Sequence, residues 1–379
     1  MARDINRYLD SLKARRTGVS DLNRITATEH FDVLQRSLLS ESYQKRSNNP
    51  YTTYALGAMQ EVGPDYTKVS IDTAERVKSQ LATHLSSRGW QVDFRLQGSV
   101  PCNIHIRGVS DVDLLVLDDA FHTYDILGVA ARSGTYQRSI NYTPLSALTT
   151  LRKGVEEILT CKFYAAEVDC SGSKAVKISG GSLRRPVDVV PSHWHDTIEY
   201  QRTWAEHNRG VYILDKSIPD TVKNLPFLHI KEITDRDEIS AQGLKKAIRL
   251  CKNVKSDAIE DGKKINLSSF DIASAMYHSD MSALRTGQYY ELAILAEAQR
   301  HLDHLAHNHH IATTLWVPDG TRLIFDNPEK LTALNALSVE LDDLLLEVAK
   351  EQDYGFRYSP HQNFATGRET ISKSYIPFL

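Results

Sequence analysis

Cysteine is scarce in this 379-residue chain: Cys102, Cys161, Cys170 and Cys251 are the only four, and none forms a Cys-x-x-Cys pair. That spacing excludes a zinc knuckle or a disulfide-stapled scaffold and fits reduced thiols in a cytosol. Long apolar runs are missing as well. No stretch approaches the ~18 apolar residues of a membrane span, and the opening MARDINRYLDSLKARR carries charges where a signal peptide has its apolar core. A cytoplasmic protein with no membrane association is expected. Nor is there an excess of positive charge: Lys+Arg number 45 against 48 Asp+Glu, a net charge of −3. The global field that gathers long nucleic acids is therefore absent, and no direct binding of them is expected. What remains is an ordinary globular composition, 41% hydrophobic and 25% charged, without internal repeats and long enough for about two domains.

Residues 1–16 and roughly 29–46 read as amphipathic helices. A third helix is predicted over 71–88, where Ile71, Ala74, Val77, Leu81 and Leu85 form one stripe and Gly89 follows as a C-cap. From Gln91 to about Val190 the apolar residues come in short β-rich runs, QVDFRLQ, VDLLVL, CKFYAAEV, KAVKI and PVDVV, separated by Gly, Ser and Pro. After about Ile239, LKKAIRLCKNV, SFDIASAMYH and two leucine-rich stretches restore helical periodicity. An α+β fold follows, with a mixed twisted sheet flanked by helices, then a helical bundle, and a cleft between the lobes as the default ligand site. The expected divisions are 1–235, a first lobe including the N-terminal helices; 236–352, the helical lobe; and 353–379, a tail without periodicity.

Chemistry concentrates in Gly98-Ser99 and in Ser110-Asp111-Val112-Asp113-Leu114-Leu115-Val116. Side chains alternate along a strand, so Asp111 and Asp113 project together while Val112, Leu114 and Val116 take the buried face. A bare Asp-x-Asp is more often the wet face of an edge strand. Two carboxylates aimed at one spot repel, however, and a hard divalent cation such as Mg²⁺ resolves that repulsion. The Gly-Ser pair upstream can offer backbone N–H groups and a hydroxyl to a phosphate, though alone it is an ordinary turn. Asp188, within the apolar run Pro186-Val187-Asp188-Val189-Val190, is a third carboxylate in need of a partner. Glu167 and Asp169 share the alternation without such a turn and read as a solvated strand face. The histidines His301, His304, His307, His309 and His310 drift around a helix and read as its solvated end, while His193 and His195 could line the cleft.

Gly-Ser, Asp-x-Asp and a third Asp before Pro resemble nucleotidyltransferases of the DNA polymerase β type. VDVVPS, GVYILD, NLPFLH, RLCK, LSSF and VPDGTRLIF narrow the resemblance to the bacterial cGAS/DncV-like enzymes, the CD-NTases, over about residues 70–350. The resemblance implies a polymerase β-like catalytic lobe, a helical nucleotide-binding lobe, and synthesis of cyclic di- or trinucleotide messengers from nucleoside triphosphates in antiphage (CBASS) signalling. It implies Asp111, Asp113 and Asp188 as catalytic ligands of two Mg²⁺ ions, with Mn²⁺ as a substitute. Gly98, Ser99, Lys252 and Ser269 would bind the nucleotide's phosphates. Regulatory or effector proteins are the implied partners. Transfer of one nucleotide to an RNA end, a protein or a small molecule is the alternative reaction, and a silent nucleotide-binding regulator the alternative class. Lys245, Lys246 and Lys255 compete with Lys252 on the same helix, and Phe270 either stacks on a base or packs in the core.

Overall fold

The computed structural model describes residues 4–18, 40–106, 111–136 and 142–378, so most of the helix predicted at 29–46 lies outside the described residues. Two compact units are present. One comprises Gly63–Cys102 and Val109–Lys231, and the other Met1–Val62, Asn103–Gly108 and Glu232–Leu379. The N-terminal residues thus group with the helical unit, whereas the sequence placed them with the catalytic lobe. The tail also departs from its aperiodic reading, because Asp353 and Asn363 accept from the backbone N–H groups of Gly355 and Thr366 and cap helices at Tyr354–Tyr358 and Phe364–Ser372.

Among the described residues the first unit is built on seven strands: β1 Val92–Gln97, β2 Val112–Tyr124, β3 Glu167–Asp169, β4 Val176–Ser179, β5 Val187–Asp196, β6 Gly210–Asp215 and β7 Asp220–Asn224. Their order is β1-β2-β5-β4-β3, with β6 and β7 continuing from the far half of β5. Among these strands the central β2–β5 pair is parallel and the other described pairs are antiparallel. Alternation gives the sheet two unlike faces. Phe94, Leu114, Val116, Val176, Ile178, Val187 and Val189 pack against Val77, Leu81 and Leu85 of the helix Pro64–Ser86 and against Leu151, Val155, Ile158 and Leu159 of the helix Pro144–Lys162. Each such side chain contributes ~1.5–3 kcal/mol when fully buried, which fixes the plane of the sheet. On the other face Leu115, Leu117, Val190, Trp194, Val211 and Ile213 form a smaller cluster.

The helix predicted over 71–88 begins earlier, with Pro64 in its first turn, and Ile71 is exposed because the buried stripe there runs through Tyr66, Ser70 and Thr73. Gly89, at φ +85°, turns the chain toward β1. The run CKFYAAEV is mostly not a strand: its first two residues end a helix and only its end enters β3.

The helical unit contains Ile5–Thr17, Pro50–Met59, Gly243–Glu260, Ser269–Tyr277, Ala293–His307 and Pro328–Gln352. Its long helices match the periodic segments after Ile239. No helix among the described residues is long and apolar enough to cross a membrane.

Candidate active site

Register assembles the site in the sheet unit. Asp113 on β2 pairs with Gln97 on β1 and with Asp188 on β5, and Asp188 pairs with Lys177 on β4. Paired residues share a face, so Gln97, Asp113, Asp188 and Lys177 form a transverse row on the face opposite the two packed helices. Asp111 directly precedes β2, and its carboxylate accepts from the Lys177 ammonium.

Gly98 closes the row. It sits just past β1 at φ +79°, where a Cβ would stand 2.2 Å from Asp113 Oδ2. Only glycine lets the turn backbone approach that carboxylate. Ser99 follows in the same turn, half-buried.

The row is electrostatically unfinished. The Asp113 carboxyl is pushed up to about 7, first by burial, then by the charges of Asp188 and Asp111, with Lys177 pulling the other way. Asp188 is raised by burial and by Asp111, against the same lysine. Among the described residues no three His, Cys, Asp or Glu side chains converge as a ready ligand group, and the Asp111 carboxylate is paired with Lys177. The donors still suit a hard divalent cation: all are carboxylate oxygens, and the three carboxylates share the one Lys177 ammonium.

Lys252 and Ser269 lie in the helical unit. Lys252 is 3% exposed, and its Nζ donates to the Ile104 carbonyl at 2.7 Å. Arg249, one turn earlier, donates to the carbonyls of Asn103 and Met59 at 2.7 and 2.8 Å. Together they hold the segment 103–106. The competing lysines are engaged too: Lys246 with Glu291 at 2.6 Å, Lys255 with the Leu267 carbonyl at 2.6 Å, and Lys245 with Thr234 at 3.3 Å. Ser268 caps the helix Ser269–Tyr277 in a reciprocal box with Asp271, which leaves Ser269 exposed at the first helical position. Phe270 lies under the Arg322 guanidinium, 5.3 Å from the ring centroid.

The remaining candidates separate cleanly. His193 and His195 alternate with Trp194 on β5 and so face away from Asp188, buried beside Phe121 and Tyr212. Glu167 and Asp169 are exposed on β3. His304, His307, His309 and His310 are exposed as expected, but His301 is 5% exposed with its ring against the Ala275 carbonyl at 2.9 Å. The sequence reading missed Lys177. Its position between buried Val176 and Ile178 does signal the opposite face; pairing with Asp188 is a long-range fact no local pattern carries.

Residues 231–343 match the family model for the cGAS/DncV-like nucleotidyltransferase C-terminal helical domain. The chain is 40% identical to the cyclic dinucleotide synthase CdnE of Yersinia aleksiciae, over 90% of this chain and 92% of that one. It is 32% identical to a c-di-GMP synthase of Capnocytophaga granulosa, over 77% and 86%. The solved structure of the STING-associated CdnE c-di-GMP synthase from Capnocytophaga granulosa is similar over 90% of this chain and 97% of that one, at 26% identity and a TM-score of 0.67.

Proposed function

The chain belongs to the cGAS/DncV-like nucleotidyltransferases, and from that premise we propose that it joins nucleoside triphosphates into a cyclic dinucleotide messenger for antiphage signalling. The observation that carries this reading is the row Asp113–Asp188 with Asp111 beside it, bordered by the Gly98-Ser99 turn. A ring of two nucleotides is favoured because both relatives described above are synthases of cyclic dinucleotides. Asp111, Asp113 and Asp188 would hold two Mg²⁺ ions, or Mn²⁺, which when bound neutralise triphosphate charge and acidify the attacking ribose hydroxyl.

The protein's own groups do the positioning. Asp188 orients the hydroxyl that attacks the α-phosphorus, and pyrophosphate leaves. The backbone of Gly98-Ser99 and the Ser99 hydroxyl bind phosphate oxygens, and glycine there keeps Asp113 unobstructed. Nucleotide binding is assigned as well to Lys252, whose ammonium is a point charge suited to phosphate oxygens, and to the exposed hydroxyl of Ser269. A second turnover on the linear intermediate closes the ring. The reaction belongs in the cytoplasm, with nucleoside triphosphates as substrates and a separate effector protein as reader of the product.

The test is incubation of the purified protein with all four ribonucleoside triphosphates and Mg²⁺ or Mn²⁺, followed by phosphatase treatment and mass analysis. The expected result is pyrophosphate release and a phosphatase-resistant product of two nucleotides. Products that are all phosphatase-sensitive would overturn ring closure, and substrate binding without pyrophosphate would make the chain a silent regulator.

A further inference from the structure

The strand order sets an unusual span for one side chain. Lys177 belongs to β4, Asp188 to the adjacent β5, and Asp111 to the entry of β2 one strand further on. Neighbouring strands lie ~4.8 Å apart, so the Lys177 stem crosses the register position of Asp188 to bring its ammonium to Asp111. Asp169 is its register neighbour on β3, and the Lys177 charge helps to hold that carboxyl low; the ammonium's ion pair is with Asp111, two strands over.

We propose that Lys177 is a built-in counter-cation of the carboxylate site, seated where a divalent ion must enter and displaced from Asp111 when that ion binds. This rests on the reading of Asp111, Asp113 and Asp188 as metal ligands. Lys177 then sets the cation affinity of the nucleotide-free enzyme, keeping the carboxylates paired until a cation of higher charge arrives. Its side chain is 45% exposed, so it swings off Asp111 without repacking the core, and its long stem keeps the ammonium beside the site as a positioning group for an anionic substrate.

The experiment measures Mn²⁺ affinity of the nucleotide-free protein by electron paramagnetic resonance titration, for wild type, Lys177→Met, Lys177→Arg and Asp113→Asn. Methionine keeps the stem and removes the competing charge, so Lys177→Met should bind Mn²⁺ about tenfold more tightly, the order of one unit charge a few Å away in a half-exposed site. Lys177→Arg should restore the wild-type value, which a purely structural role of the stem would not require. Equal or weaker binding in Lys177→Met, with Asp113→Asn still losing Mn²⁺, would overturn the counter-cation and leave the metal site standing. Unchanged Mn²⁺ binding in Asp113→Asn would remove the metal-site reading itself, and this inference with it.

Discussion

Asp113, half-buried in the sheet unit, and Glu291, buried in the helical unit, are carboxylates that keep opposite company. Around Asp113 stand Asp188 and Asp111, with Lys177 as the opposing charge, and the carboxyl is pushed up to about 7. Glu291 is 1% exposed and accepts from Arg46 at 2.5 Å and Lys246 at 2.6 Å. Burial pushes Glu291 up, but Lys246 and Arg46 outweigh it, and the group lies below the ordinary carboxylate range. Glu291 is compensated by two cations, whereas Asp113 shares one cation with two other carboxylates. On the proposed function, that contrast separates a carboxylate that serves the fold from one proposed to serve a ligand, and it can be broken from either side.

The largest effect is expected at Asp188. Asp188→Asn should lower kcat for triphosphate consumption by at least about a thousandfold, comparable to losing a charged group that acts on the transition state, while circular dichroism stays native. Activity within tenfold of wild type would detach Asp188 from the chemistry. From the other side, Glu291→Gln strands Arg46 and Lys246 without a counter-charge and should cost about 3 kcal/mol in denaturant unfolding, with KM for nucleotide unchanged in the fraction that folds. An unaltered midpoint would mean that this cluster is not compensated as described.

Gly98→Ala should come next. A non-glycine residue in the left-handed region costs roughly 1–2 kcal/mol, and the new methyl must also push the Asp113 carboxylate aside. The expectation is a loss of about 10- to 100-fold in kcat/KM with a modest fall in Tm; an effect on Tm alone would show that the close approach serves only the turn. The smallest change is expected from His304→Ala, at an exposed helix position: unfolding free energy within about 0.5 kcal/mol of wild type and no difference in bound zinc by elemental analysis.

Much of the candidate site was legible because its signals are local. Alternation assigned Val112, Leu114 and Val116 to one face, and an apolar strand interrupted by Asp188 marked a charge in need of company. Gly98 was legible as a turn, though its contact with Asp113 depends on β1 pairing with β2. What escaped depended on distant pairing. Nothing near Lys177 names Asp188 as its neighbour. β7, with the sequence DTVKN, has no apolar run of its own and is a strand because β6 pairs with it. Lys252 was singled out on its helix, but its bond to the Ile104 carbonyl joins residues 148 apart in the chain. His301 was assigned to solvent with its neighbours, yet its turn of the helix faces Ala275.

Whether the sheet unit holds carboxylate charge that its own cation does not balance is decided by Asp113→Asn in the presence of a chelator. In the metal-free wild type the carboxyl titrates near 7 when folded, against 3.8 for the free group. Above pH 7 the folded state carries an unfavourable charge, and as pH falls toward 4 it takes up a proton that the unfolded chain does not. Wild-type stability should therefore rise relative to Asp113→Asn as pH drops from 8 to 5. At pH 8 the variant should melt at a higher temperature than wild type while showing no triphosphate consumption when Mg²⁺ is restored. A variant that melts several degrees lower at pH 8, or that retains activity, would show that Asp113 is not an unbalanced carboxylate serving the chemistry.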